Sequence, residues 1–173
     1  DCGVGVLANQ ASNYLLGDAA PKRLGNAHPN IVPYQVFPTQ EGHLIIACGN
    51  DRQFRKLCEV LDMPEAAGDT RYATNPARVR HRDTLCRLIA ERTAHHTKAS
   101  LIERLTECGV PAGPINTVAE ALNEPQIVAR NMRIDPEGID GLRTPVRFSR
   151  SKLALDRAAP MLGAGGRGFG LGR

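Results

Sequence analysis

At 173 residues the chain is long enough to bury the core of one ordinary domain. Its apolar share of 42% and charged share of 23% exclude a disordered or collagen-like chain, and no stretch approaches the roughly 20 apolar residues of a bilayer span, so no membrane is expected. The net charge of +4 is modest, and with no Trp and 4% aromatic residues there is little to stack on bases, so no nucleic-acid partner is expected.

The opening Asp1-Cys2-Gly3-Val4-Gly5-Val6-Leu7-Ala8 has no initiator Met, no basic segment and no signal-type cleavage pattern. Small and apolar residues dominate positions 4–16 and Gly17 follows, which predicts a buried helix stopped by glycine, cut open at its start, with partners outside this chain or in its far C-terminal part. Gly3-x-Gly5-x-x-Ala8 matches the dinucleotide fingerprint only superficially, because no strand precedes it and no acidic residue follows at the required distance. Residues 17–33, rich in Gly, Pro, Asn and Asp, are expected to be an extended connection at a domain boundary.

Alternation at Tyr34 and Val36, a reversal at Glu41-Gly42 and the apolar run 43–48 predict a β-hairpin. Asn50 followed three residues later by Gln53 fits a capping box, and Phe54, Leu57, Cys58 and Leu61 recur at helical spacing behind it. A second helix is expected to open with Asn75 as its cap and Pro76 at its first position, burying Val79, Leu85, Cys86 and Ile89. A third runs from Thr97, buries Leu101 and Leu105, and stops at Gly109. Residues 110–116 are too rich in Pro for a central strand and should form an extended edge segment before a second capping box, Thr117 with Glu120. The result is a compact α+β domain over residues 31–122. A short helix over 125–130 and two short strands, 132–134 and 146–148, follow; the glycine-rich residues 164–173 can bury almost nothing and are expected to be disordered.

Five cysteines, odd in number and without paired or C-x-x-C spacing, predict buried reduced thiols rather than disulfides or a zinc site, hence a cytoplasmic setting. Cys48, at the end of an apolar strand, is expected to be a core thiol. Between positions 71 and 104, eight basic residues stand against three acidic ones, the pattern of a solvated helical face. His95 and His96 are adjacent and diverge on a helix, so they cannot chelate one metal, and no metal site is expected. The most informative stretch is Gly25-Asn26-Ala27-His28-Pro29-Asn30 with the Ile31-Val32-Pro33 exit. Glycine supplies backbone freedom, Asn and His supply donors, and two prolines stiffen the exit, so this segment suits either a loop closing over a polar ligand or a plain linker.

The run 24–35, then Glu41-Gly42-His43 before an apolar strand, then Gly49-Asn50-Asp51-x-Gln53-Phe54, resembles the class III CoA-transferases of the formyl-CoA transferase type. The resemblance continues in Tyr72-Ala73-Thr74-Asn75 with Arg78, in Gly109-Val110-Pro111-Ala112-Gly113-Pro114-Ile115-Asn116 and in Ala159-Pro160-Met161-Leu162-Gly163. It implies an α/β fold in which this chain holds a complete small α+β domain plus part of a Rossmann-like large domain. Residues 1–30 would be the end of the large domain's first lobe and a linker, 31–122 the small domain, 123–163 the return to the large domain, and 164–173 a tail.

The resemblance further implies a homodimer of interlocked full-length chains, with acyl-CoA and carboxylic acid as substrates, coenzyme A entering as a thioester and no tightly bound cofactor. The nucleophilic Asp of the family would lie upstream of Asp1, so no catalytic residue is assigned within the chain, and the chain by itself would be inactive. The substrate-binding positions that carry over are Gly25, Asn26, His28, Pro29 and Asn30 of the closing loop. Where formyl-CoA transferases have a run of glycines this loop has Gly-Asn-Ala-His-Pro-Asn, a version that looks more like members acting on dicarboxylates such as succinate or glutarate. Two other readings stay open: an acyl-CoA racemase of the same fold, and a truncated or purely interacting domain without catalysis.

Overall fold

The computed structural model describes residues 1–17 and 20–162. The chain divides into two compact units, Asp1–Ile115 and Asn116–Arg173. The expected disordered tail, 164–173, lies outside the described residues.

The first unit is built on an antiparallel three-stranded sheet in the order β1 (Tyr34–Thr39), β2 (Gly42–Ala47), β3 (Ala112–Ile115). The predicted hairpin is present: Tyr34 pairs with Ala47 and Thr39 with Gly42. Gly42 closes the turn at φ 136°, a backbone region that side-chain-bearing residues avoid. Strand β3 joins at the far edge of β2, with His43 opposite Ile115 and Ile46 opposite Ala112. Its Pro114 is tolerated because an edge strand needs fewer ladder donors.

Five helices complete this part of the unit: α3 (Asp51–Val60), α4 (Pro64–Gly68), α5 (Asn75–Arg80), α6 (Arg82–Thr93) and α7 (Lys98–Glu107). Alternate residues of the hairpin, Phe37, Leu44 and Ile46, meet Leu57, Leu85, Ile89, Leu101 and Leu105 in one core. The period-2 pattern of the strands and the 3.6-residue pattern of the helices thus bury the same set of side chains. The hairpin tip is tied to the connection between α6 and α7. There the Gln40 backbone N–H donates to the His96 carbonyl at 3.0 Å, Gln40 Nε2 donates to the His95 carbonyl at 3.0 Å, and Glu41 Oε1 accepts from the Lys98 N–H.

The local signals that open helices hold in part. Asn50 accepts from the Gln53 N–H at 2.9 Å as expected, but Gln53 Oε1 reaches the Gly49 N–H, at 2.8 Å, instead of closing a box on Asn50. Thr97 caps α7, which stops at Gly109 with φ 71°. The predicted second helix is two helices, broken at His81 (φ −109°, ψ 25°). Its cap is Thr74, which accepts from the Ala77 N–H, and not Asn75; the Asn75 side chain is drawn into long-range bonds described below.

The apolar N-terminal stretch also departs from expectation. It forms two helices, α1 (Cys2–Gly5) and α2 (Ala8–Gly17), interrupted where Ala8 takes φ 43°. Neither buries a residue: Val4 is 69% and Leu16 89% exposed. Two glycines in the first turns weaken a single helix, and the half-buried side of α2 carries Gln10, Ala11 and Asn13, so the apolar Leu15 and Leu16 are left outward.

The second unit carries α8 (Val118–Leu122), opened by the predicted reciprocal capping box of Thr117 and Glu120, then α9 (Pro125–Ala129). Strand β4 (Arg133–Ile134) pairs with β5 (Gly141–Leu142), supported by an Arg133–Asp140 ion pair at 2.9 Å. The strand expected over 146–148 does not form; Val146 and Phe148 are exposed, and β4 turns back earlier through a 3-10 turn at Pro136–Gly138. None of the described residues of this unit is buried.

Cys48, Cys58 and Cys86 are buried and free, as expected, whereas Cys2 and Cys108 are free but exposed, contrary to the prediction of five buried thiols. Both exposed cysteines sit at the margins of helices, outside the hydrophobic cluster. Among the described residues no helix is long and apolar enough to cross a membrane.

Candidate functional site

The segment of residues 25–30 is an ordered loop beside β1. Gly25 sits at φ 60°, in the left-handed region, and lets the chain turn so that the Ala27 N–H donates to the Leu24 carbonyl at 3.1 Å. The loop then bonds to β1 twice: Asn26 Oδ1 accepts from the Val36 N–H at 2.9 Å, and the His28 N–H donates to the Tyr34 carbonyl at 2.9 Å. The His28 ring stacks on Tyr34 with centroids 5.1 Å apart and planes 15° from parallel.

His28 Nδ1 accepts from the Asn30 N–H at 3.1 Å. In the neutral ring this places the proton on Nε2, which becomes a donor on a half-buried imidazole. Asn30 makes a reciprocal amide pair with Asn13 of α2, at 2.9 and 3.2 Å. Pro29 follows His28 in the turn, and both carbonyls accept from Arg82 Nη2 at 2.8 Å.

Three side chains that sequence reasoning did not assign to the loop hold it in place. Arg82 is the first. Asn75 is the second: its Nδ2 donates to the Asn30 carbonyl at 2.7 Å and its Oδ1 accepts from the Val32 N–H at 3.1 Å, clamping the loop exit from both sides. The third is Arg78, which has no exposed surface and uses its whole planar fork. Its Nε donates to the Val32 carbonyl at 2.7 Å, Nη1 to the Tyr72 carbonyl at 2.9 Å and Nη2 to Asp51 Oδ1 at 2.8 Å. Arg78 therefore does not belong to a solvated basic face. Asn75 and Arg78 had a signal in the sequence, their place beside Tyr72-Ala73-Thr74; Arg82 had none beyond its basic neighbourhood.

The structure thus brings Gly25, Asn26, His28, Pro29 and Asn30 together as one bonded turn. The loop offers N–H donors, Asn26 Nδ2 and His28 Nε2, suited to a carbonyl or carboxylate oxygen, and contains no nucleophile of its own. Cys48, whose backbone N–H donates to the Pro33 carbonyl at 2.9 Å, is fully buried, and desolvation pushes its thiol up to about 12, so it is a core residue and not a thiolate nucleophile. Among the described residues no group of three or more His, Cys, Asp or Glu side chains could hold a metal ion.

The chain is similar to known proteins over nearly all of its length. It is 47% identical over 163 residues to a succinate–glutarate CoA-transferase of Agrobacterium fabrum, covering 91% of this chain and 41% of that one. It is 35% identical over 165 residues to the human succinyl-CoA:glutarate CoA-transferase, covering 92% of this chain and 38% of the relative. Among solved structures, a CAIB/BAIF family protein from Brucella suis superposes with a TM-score of 0.83 at 54% identity, over 96% of this chain and 44% of that one. The chain spans about two fifths of the length of the curated relatives it matches. Residues 1–165 match the model of CoA-transferase family III, and the chain belongs to that family.

Proposed function

We propose that the protein to which these residues belong transfers CoA between an acyl-CoA and a carboxylic acid, with dicarboxylates of the succinate and glutarate type as its acids. The observation that carries this reading is the 47% identity to a succinate–glutarate CoA-transferase across 91% of the chain. The loop chemistry supports it: residues 25–30 present amide and imidazole N–H donors suited to a carboxylate oxygen.

The nucleophile is assigned to an Asp outside residues 1–173. Its carboxylate attacks the thioester carbonyl and expels CoA thiolate, leaving a mixed anhydride; the thiolate then attacks the aspartyl carbonyl, releasing the donor acid and leaving an aspartyl-CoA thioester. The acceptor carboxylate then attacks the aspartyl thioester and expels CoA thiolate, forming a second mixed anhydride, and the thiolate attacks the acceptor's acyl carbonyl to give the new acyl-CoA and the free Asp carboxylate. Within this scheme residues 31–122 form the small domain, and residues 1–30 and 123–163 belong to the large domain. The exposed apolar side chains of α1 and α2, and the lack of a buried residue among those described in the second unit, support a large domain completed by further sequence and by a second copy of the full-length protein. Three buried free thiols support a reducing, cytoplasmic setting.

The test is transfer from succinyl-CoA to glutarate by the full-length protein, followed as glutaryl-CoA formation. Glutaryl-CoA formation is expected, together with trapping of an aspartyl-CoA adduct by mass spectrometry. Exchange of the α-proton of a branched acyl-CoA with solvent deuterium, without any CoA transfer, would sink the transferase reading.

A further inference from the structure

An open cavity of about 430 Å³ lies between the loop and α6, a volume in the range of small-ligand sites. Its lining includes Arg82 and Arg87 from α6, Gln35 from β1, and Arg23, Leu24 and Ala27 at and just before the loop. Against three guanidinium groups the lining carries one carboxylate, Asp83.

Among the described residues none of these three guanidinium groups is paired with a carboxylate. Arg23 and Arg87 are exposed and make no side-chain hydrogen bond there, and Arg82 spends Nη2 on the His28 and Pro29 carbonyls while its Nη1 is buried without a hydrogen-bond partner. Like charges gathered round a concave surface repel one another and raise the local concentration of anions. The planar fork of each Arg matches two oxygens of a carboxylate or phosphate.

We propose that this cavity is a binding site for a small dianion bearing carboxylate or phosphate oxygens, held between Arg23 and Arg87 with Gln35 as an additional donor. Because Arg82 lines the cavity and also fastens the His28 and Pro29 carbonyls, and because Leu24 and Ala27 are in or next to the loop, a bound anion touches the same turn that the proposed transfer reaction uses. The site rests on that reading and extends it by adding a second anion position on the α6 side of the loop.

The test is calorimetric titration of the full-length protein with succinate and, separately, with inorganic phosphate. Arg23→Gln/Arg87→Gln is compared with wild type and with Arg147→Gln, an exposed arginine elsewhere, and the thermal midpoints certify folding. The double variant is expected to bind at least one of the two anions about tenfold more weakly or worse, with Arg147→Gln unchanged. The anion that loses affinity identifies the source: succinate a carboxylate substrate, phosphate the phosphorylated part of a CoA-type ligand. Equal binding of both anions by the double variant and wild type, or no binding to wild type, overturns the proposal. Succinyl-CoA transfer measured on the same samples separates the two readings. Full transfer with no arginine-dependent binding removes only the cavity site, and arginine-dependent binding without transfer removes only the transferase reading.

Discussion

The guanidinium of Arg78 lies 4.6 Å from the centroid of the Phe54 ring and is closed to solvent, so that its charge is held by a π face and by three acceptors rather than by water. Two of those acceptors are the carbonyls of Val32 and Tyr72, for which Arg78 supplies the side-chain donor. Asp51, the partner carboxylate, is 42% exposed and keeps its hydration when the pair is lost.

Arg78→Ala should therefore cost about 3 kcal/mol or more, because it strips two carbonyls of their donor and opens a void beside Phe54. Arg78→Lys should recover little of it, since an ammonium cannot reproduce the three-directional fork. Asp51→Asn should cost less than Arg78→Ala, about 1 to 2 kcal/mol, because the amide oxygen can still accept from Nη2 while the buried guanidinium loses its counter-charge. Urea unfolding midpoints of the three variants check the ranking. An Asp51→Asn loss equal to that of Arg78→Ala would show that the ion pair, and not the buried carbonyl bonds, carries the stabilisation.

Asn75→Ala should destabilise by about 1 to 3 kcal/mol, because the Val32 N–H and the Asn30 carbonyl both lose their partner. Asn75→Asp keeps the acceptor for Val32 but sets a carboxylate against the Asn30 carbonyl, so it should be no better than alanine. Amide hydrogen exchange at Val32, whose N–H Asn75 Oδ1 accepts, reports the acceptor side of the clamp, with faster exchange expected in Asn75→Ala. Unchanged exchange would refute the clamp.

The cysteines divide by exposure. At pH 8 in native buffer, Cys2 and Cys108 should label with a thiol reagent while Cys48, Cys58 and Cys86 stay protected until unfolding; peptide mapping distinguishes the two sets. Burial raises the thiol of Cys48 to about 12 and those of Cys58 and Cys86 to about 11, from an ordinary value of 9.0. A raised folded-state value means that the unfolded chain gives up the proton first, so the folded state holds more protons above pH 9 and stability falls with rising pH. The loss begins near pH 9 and runs up to pH 11 to 12. Replacing Cys48 by alanine should flatten that slope, which equilibrium unfolding at pH 8 and pH 10 measures.

Gly109→Ala should cost about 1 to 2 kcal/mol through backbone strain alone, since φ is 71° there and an added Cβ would meet nothing within 4 Å. Gly109→Asn should cost less, because Asn adopts the left-handed region more readily. A thermal melt in which asparagine is no better than alanine would argue against this account.

Elements that a single periodicity encodes are legible in the order of residues alone. The hairpin is legible from the alternation at Tyr34 and Val36, the reversal at Glu41-Gly42 and the apolar run 43–48, but β1 buries the other face, Phe37 and Thr39, and leaves Tyr34 and Val36 half-buried. Helices α3 and α7 follow from apolar side chains at helical spacing behind side-chain caps. The strand expected over 146–148 fails because two apolar residues flanked by turn formers carry no period long enough to choose a partner. The N-terminal stretch breaks into two helices at Ala8 and meets the loop through the Asn13–Asn30 amide pair, a contact that the dominance of small and apolar residues does not announce.

The amino-acid sequence by itself determined the sheet-and-helix core, the glycine at 25 that begins the loop, and the family motifs along the chain. Only the tertiary structure decided what holds the loop. Asn75 reaches Val32 across 43 positions and Arg78 reaches the same residue across 46. Such bonds depend on where the folded backbone leaves an unpaired carbonyl or N–H, and no local pattern of residue types records that. A cap residue and a run of arginines carry the local pattern of helix punctuation and a solvated face, and it is burial that converts Asn75, Arg78 and Arg82 into the frame of the candidate site.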